Sequence, residues 1–347
     1  MPALAPTRPA CLGVFVPQTS PALPLDDRPP AAAAVVAALL PQPFVEPLRT
    51  ALGTDVEVLD ILGGDPLPAT PAGPLMSLVM PWSLNNSPSP AALDAVERAE
   101  WVHFVSTGVD GFPLDRLAGR TVTCGRGANS VAIAELTVGL LLAAEKRFPD
   151  IWEAETNEPY ITEPLGTLAG RTVGLLGFGS IAQALAPRLA GFGTRLLALR
   201  RSGRPSDVPG VTVVHTLAEL LGQADHLVVA AALTPQTNRL LDDAAFALAK
   251  PGLHLVNIAR GRIVDTDALV RALASGVVSR ASLDVTHPEP LPADHPLRHD
   301  PRVRIMPHVA WSAPGGFSRG LDVFSDNLRR WRAGEPLHGL VDITAGY

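Results

Sequence analysis

Between residues 172 and 306 the chain repeats one hydrophobic pattern: a short, unbroken apolar run, then a segment long enough for a helix. The runs fall at 172–176, 195–199, 211–214, 226–231, 253–258, 281–285 and 303–306. Runs of this length without polar alternation are what strands of a parallel sheet covered on both faces require. Their spacing predicts a doubly wound sheet, with ligands at the carboxyl ends of its strands. The first third carries shorter runs at 12–16, 55–59, 75–80 and 101–105. Between them, Leu93 and Val96 recur at helical spacing within 91–99, which predicts a smaller α/β unit built on its own parallel sheet.

Four further segments depart from that rhythm. Residues 31–40 are wholly apolar, far short of the roughly 20 residues of a bilayer span, and follow Asp26 and Asp27; they read as a short buried helix rather than a signal. Residues 129–147 read as a long helix capped by Asn129 or Ser130, apolar through Leu136, Leu140, Leu141 and Leu142. A helix apolar on most sides must be covered on most sides, which places it between two domains and makes it a candidate subunit contact. Residues 148–168 read as looser chain, and 317–332 as a helix that packs back on the first unit. Pro187 falls inside the helix after the 172–176 run, where it predicts a kink or early distortion.

Composition narrows the function classes. A chain of 347 residues with 47% apolar content exceeds one ordinary core and supports two. The net charge of −6, without long single-sign runs, leaves no footprint for nucleic acid or an anionic membrane. Cys11 and Cys124 give neither a disulfide framework nor a zinc spacing, so a cytoplasmic protein with inert thiols is the natural reading. No His, Asp or Glu cluster has a metal-ligand spacing. The 35 prolines are scattered through periodic segments; loose structure is expected only at 1–9 and 18–30.

The first chemical signal closes the 172–176 run. Gly177-Phe178-Gly179-Ser180-Ile181-Ala182 is a G-x-G-x-x-A turn opening a helix, the arrangement that lays a dinucleotide pyrophosphate on backbone N–H groups. A fold of this kind that prefers NAD usually has an acidic residue at the next strand end. Here that strand ends in Arg200-Arg201-Ser202, with Arg204 close behind. Arginines and a hydroxyl can clamp a 2′-phosphate, so NADP(H) is the predicted cofactor and NAD(H) the lesser one, against the reading of solvated surface arginines. Three later strand ends carry an arginine (Arg260, between Asn257 and Asp265), a carboxylate (Glu289, in the proline-rich loop after Asp284) and an imidazole (His308, three residues before Trp311). That is a sensible set for reducing a 2-oxo acid.

With these motifs in view, the sequence resembles the D-isomer-specific 2-hydroxyacid dehydrogenase family from about residue 105 to 331, and only in outline before residue 100. The resemblance implies a Rossmann-type doubly wound domain for the cofactor and a smaller flavodoxin-like α/β substrate domain. The substrate domain would span 1–124 and be completed by 313–347, with 125–312 as the dinucleotide-binding domain. It also implies Arg260, Glu289 and His308 as the catalytic triad. Arg260 would hold the substrate carboxylate, His308 would exchange the proton, and Glu289 would orient His308. The loop 106–110, which on its residues alone is just a turn, becomes a carboxylate site through Thr107, Gly108 and Val109, with Gly108 expected at positive φ. Thr234, in the segment through Thr237, would pack along the cofactor with Ala259 and Asp284. Trp311 would wall the substrate pocket or pack the domain junction, and Trp82 is a weaker pocket candidate. His103 reads as a hydrogen-bonded structural residue, and His287 and His295 as solvated. Ala182, Arg200 and the pair Thr286-His287, which is placed at the pocket rim, depart from the family's usual residues. The implied activity is NADPH-dependent reduction of a small 2-oxo acid, glyoxylate or hydroxypyruvate foremost, by a homodimer. The alternatives are an NAD-dependent dehydrogenase of another 2-hydroxy acid and a non-catalytic dinucleotide-sensing regulator.

Overall fold

In the computed structural model the residues described are 34–81, 88–153 and 164–347. The run at 12–16, Cys11, Trp82 and the segments 1–9 and 18–30 lie outside them. The first unit is a five-stranded parallel sheet of β1 (Ala34–Leu39), β2 (Val56–Asp60), β3 (Leu75–Val79), β4 (Trp101–Phe104) and β5 (Thr121–Cys124). Helices α1 (Val45–Leu52) and α2 (Pro90–Arg98) lie between its strands. Its order, β2-β1-β3-β4-β5, is the flavodoxin-like winding.

In this first unit two readings of the sequence are corrected. The apolar run at 31–40 is not a helix: all six residues of β1 are buried between β2 and β3. The run is rich in alanine, and only burial on both faces of a sheet, which a continuous apolar run also permits, settles its conformation. The second correction is β5, an additional strand that follows β4 and ends at the buried Cys124, whose thiol pKa burial pushes up.

After β5 the chain forms α3 (Ser130–Lys146) and α4 (Phe148–Glu153), then the second sheet. Its strands are β6 (Thr172–Leu176), β7 (Arg195–Leu199), β8 (Val211–Val214), β9 (His226–Val229), β10 (Leu253–Asn257), β11 (Val278–Leu283) and β12 (Val303–Ile305). The helices between them are α5 (Ser180–Ala190), α6 (Leu217–Leu221), α7 (Asp243–Ala247), α8 (Thr266–Ser275) and α9 (Pro296–His299). All neighbouring strands are parallel, in the order β8-β7-β6-β9-β10-β11-β12. This is the doubly wound Rossmann order, reversing between β6 and β9 at the point where such sheets bind dinucleotides.

Helix α5 continues through Pro187 to Ala190. The Asn129 side chain makes no cap bond to α3. The helix is covered on most sides, with Ile133, Ala134 and Leu141 buried and Leu136, Leu140 and Leu142 packed against the same core; its exposure is one stripe, Val131 (53%), Glu135 and Gly139. The last helix, α10 (Gly316–Ala333), returns to the first sheet, where Phe324 and Trp331 stack on Trp101 with ring centroids 5.1 and 5.5 Å apart. His295 is not simply solvated: its Nδ1 accepts the Leu297 N–H, 3.2 Å away, and caps α9. Among the described residues no helix is long and apolar enough to cross a membrane.

Candidate active site

A cleft of about 1700 Å³ runs between the carboxyl ends of the two sheets. That is larger than a typical small-molecule pocket and leaves room for a dinucleotide beside a small acid. One wall begins at the glycine turn. Gly177 has φ +94, and a Cβ there would stand 2.6 Å from the Ala231 N, so only glycine fits. A Cβ at Gly179 would meet nothing within 4 Å, which leaves the backbone uncovered at the start of α5, where its free N–H groups gather. Phe178, Ser180, Ile181, Thr234 and Ala259 line the same wall. This uncovered turn at a helix N-terminus fits the phosphates of a dinucleotide.

Arg200, Arg201 and Ser202 line the far end of that wall, together with His215 and Tyr347. The Arg201 guanidinium carbon lies 4.7 Å from the centre of the Tyr347 ring, a cation–π contact. Tyr347 carries no motif, and its place at the cleft comes only from the return of the C-terminal segment.

Away from the glycine turn stand Arg260 and His308, with Glu289 bonded to the imidazole. His308 Nδ1 lies 2.7 Å from Glu289 Oε1. His308 itself adopts a left-handed backbone, φ +55, an uncommon conformation for a side chain of its size. Asp284, almost fully buried, holds it there: its carbonyl accepts the His308 N–H at 2.9 Å, and its two carboxylate oxygens accept the N–H groups of Val309 and Ala310 at 2.8 and 3.0 Å. Asp284 therefore lines the cleft as the anchor of the histidine loop. Trp311 lines the cleft as well, 40% exposed, its indole N–H donating to the His308 carbonyl at 3.0 Å.

Arg260 faces them from the end of β10. Buried Asn257 ties down its backbone, donating through Nδ2 to the Arg260 carbonyl at 3.0 Å and accepting the Ala259 N–H at 3.1 Å. Its guanidinium reaches across to the loop after β4, where Nε stands 2.9 Å from each oxygen of Asp110. Thr107, Gly108 and Val109 line the cleft in the same loop, which is fixed by Ser106 Oγ donating to the Gly108 carbonyl at 2.7 Å and Thr107 Oγ1 to the Gly125 carbonyl at 3.3 Å. The expectation of a positive φ at Gly108 is corrected: its φ is ordinary, and the glycine is needed because a Cβ would overlap Arg260 Nη2. Thr286 and His287 do not rim the cleft. They pack beneath the Arg260 loop, with Thr266 Oγ1 donating to the His287 carbonyl at 2.8 Å. Among the described residues no group of three His, Cys, Asp or Glu side chains is placed to hold a metal ion.

Comparison with known proteins points the same way. Residues 138–310 match the family model for the D-isomer specific 2-hydroxyacid dehydrogenase NAD binding domain. The human glyoxylate reductase/hydroxypyruvate reductase is 36% identical over 242 residues, covering 67% of this chain and 74% of that protein. The glyoxylate reductase of Thermofilum pendens is 32% identical over 263 residues, covering 72% and 77%. Among solved structures, a D-isomer specific 2-hydroxyacid dehydrogenase from Xanthobacter autotrophicus Py2, in complex with NADPH and MES, superposes with a TM-score of 0.78 at 28% identity, over 91% of this chain and 100% of that one. An NAD-dependent formate dehydrogenase from Staphylococcus aureus, in complex with NAD, gives 0.67 at 26% identity over 89% and 99%. Two parallel-sheet units around one cleft, a glycine cradle for a dinucleotide, and these relatives together establish that the chain belongs to the D-isomer-specific 2-hydroxyacid dehydrogenases, NAD(P)-dependent oxidoreductases.

Proposed function

We propose that this enzyme is an NADPH-dependent reductase of a small 2-oxo acid, glyoxylate or hydroxypyruvate foremost, giving the D-2-hydroxy acid. The observation that carries the reading is His308, held by Glu289 at 2.7 Å, in the same cleft as Arg260, the Gly177 cradle and the Arg200-Arg201-Ser202 cluster. Two arginines and a hydroxyl at the end of β7 suit a 2′-phosphate, and a carboxylate at that place would repel one. The human relative's name, glyoxylate reductase/hydroxypyruvate reductase, supports the choice of substrate.

A bound NADPH supplies a hydride from its nicotinamide. The chain's own part is to bind, orient and protonate. Arg260 and the loop of Thr107, Gly108 and Val109 take the substrate carboxylate, and Arg260 polarises the neighbouring keto oxygen. His308, its Nδ1 engaged by Glu289, presents Nε2 as the nitrogen that gives its proton to that oxygen. Ala259, Asp284 and Thr234 shape the wall beside the nicotinamide half, and Trp311 covers the substrate. In this reading the unit that carries the five-stranded sheet and α10 is the substrate domain. The seven-stranded unit is the cofactor domain, and the enzyme is a cytoplasmic homodimer that pairs through the exposed stripe of α3 at Val131.

The test is oxidation of NADPH and NADH with a panel of 2-oxo acids. NADPH should be preferred at least tenfold, and Arg200→Asp should reverse the preference. Equal losses with both cofactors in that variant would refute the clamp. Tight NADPH binding with no turnover of any acid would instead favour a dinucleotide-sensing protein.

A further inference from the structure

The residue that carries the next step is Asp110, which no motif singles out and the reaction described above does not use. It sits in the loop after β4, on the wall of the first sheet, while Arg260 follows β10 on the wall of the second. The two meet across the cleft as an ion pair with both side chains about 30% exposed (30% for Arg260, 28% for Asp110). We propose that Asp110 is a positioning residue that fixes the guanidinium plane of Arg260 for a 2-oxo acid; the proposal rests on the reading of Arg260 as the substrate-carboxylate arginine.

The geometry gives each guanidinium nitrogen a separate fate. Nε donates to Asp110, equidistant at 2.9 Å from both oxygens. Nη1 donates to the carbonyl of Ala259 at 2.8 Å. Nη2 lies against Gly108, in the space a side chain would occupy. A guanidinium has five N–H bonds; the two engaged here leave three for an anion, with the plane held at both ends. An unpaired arginine on a flexible stem would sample many rotamers, and holding it within the narrow range of a productive complex is what a fixed partner contributes. Asp110 does this from the opposite wall, so the plane is set only when the two walls are in register. Binding of the acid and approach of the walls are thereby coupled through one side chain.

Two variants of the full-length protein separate positioning from charge. Asp110→Asn and Asp110→Ala both remove the negative charge, but only asparagine keeps an oxygen for Arg260 Nε. Positioning predicts that the alanine variant loses at least tenfold in kcat/KM for glyoxylate, and that the asparagine variant retains at least five times more activity than alanine. NADPH dissociation constants should stay within twofold of wild type in both. A second readout needs no turnover: oxalate affinity of the NADPH-bound protein, followed by NADPH fluorescence, should be at least fivefold weaker in the alanine than in the asparagine variant. Equal values for the two variants would overturn the proposal, leaving only a charge effect. Loss of NADPH affinity in step with activity would overturn it too, because it would mark a general structural role. If the wild-type protein reduces no 2-oxo acid, the functional reading fails, and the oxalate comparison still judges Asp110.

Discussion

A methyl group added at Gly108 would overlap the Nη2 of Arg260, a contact between residues far apart in the chain. Gly108→Ala should therefore swing the guanidinium out of place while leaving the wall at Gly177 intact. The expected loss in kcat/KM is about tenfold to a hundredfold, the scale of a misplacement of roughly 1 Å, and titration of NADPH fluorescence should show unchanged cofactor affinity. Glu289→Gln poses a different question at the same scale. The amide can still bond His308 Nδ1, but it no longer stabilises the imidazolium or fixes which nitrogen carries the proton. We expect kcat to fall by about a hundredfold or more, with the NADPH dissociation constant within twofold; a variant of near wild-type kcat would remove Glu289 from the mechanism. That Arg260 and His308 line the cleft was legible in the sequence because each follows an apolar strand, where a parallel sheet presents its ligand-facing residues; the loop after β11 then brings Glu289 to His308. The contacts of Asp110 and Asn257 were not legible. Both lie in segments the sequence marks, but Asp110 is 150 positions from Arg260 and Asn257 acts through backbone atoms of Arg260 and Ala259, so no local pattern shows what either touches.

At the scale of elements, the second sheet was legible because most of its strands are short apolar runs bounded by turns; β11 instead begins at Val278 and runs through Ser279 and Arg280 before the run at 281–285. Strand β1 was not, because an alanine-rich apolar run fits a buried helix as well as a central strand, and only pairing with β2 and β3 decides. Strand β5 is short, and its Thr-Val-Thr-Cys run lacks the hydrophobic weight of its neighbours. The first sheet also contains a titratable group whose effect can be measured. His103 on β4 is buried, with Nδ1 2.7 Å from Thr123 Oγ1 on β5, and burial lowers its pKa from 6.5 to about 3. The unfolded chain thus takes up a proton near pH 6.5 that the folded chain refuses. Stability conferred by the neutral histidine is fully present above pH 6.5 and drains away as pH falls toward 3. Between pH 7 and 5 the loss is about 2 kcal/mol. Urea unfolding at the two pH values should show it. His103→Leu, which leaves Thr123 Oγ1 its bond from the Trp101 indole at 2.7 Å, should lose about 2 kcal/mol less over the same interval. Parallel pH dependence in the two proteins would refute the assignment.

Among the described residues two sheets are joined by two crossings of the chain, one between β5 and α3 and one between β12 and α10, and Arg319 on α10 holds both. Its Nε donates to the Ala128 carbonyl at 2.9 Å and its Nη2 to Asn129 Oδ1 at 3.2 Å, in the first crossing; its Nη1 donates to the Pro314 carbonyl at 2.9 Å, in the second. One planar cation thus ties the start of α3 to the start of α10, and both helices lead away from the cleft walls that carry Arg260 and Asp110. Residues at such crossings absorb the backbone rotation when domains close, and changing them shifts kcat and KM together, whereas a change within the site moves one of them selectively. Arg319→Ala removes three hydrogen bonds from a charged donor and leaves the cleft lining unchanged. The expected result is a fall in kcat and a rise in KM for both NADPH and the 2-oxo acid, each by about threefold to tenfold, with a loss of about 2 to 4 kcal/mol in unfolding free energy. Arg319→Lys should recover the stability only in part, since one ammonium cannot reach both crossings with the geometry of a guanidinium. If the alanine variant lost stability yet kept kcat and both KM values, the crossings would be fixed joints and closure would have to turn elsewhere. If instead only the KM for the acid moved, Arg319 would be acting through the substrate loop, and the coupling of the two walls would rest on the Arg260–Asp110 pair alone.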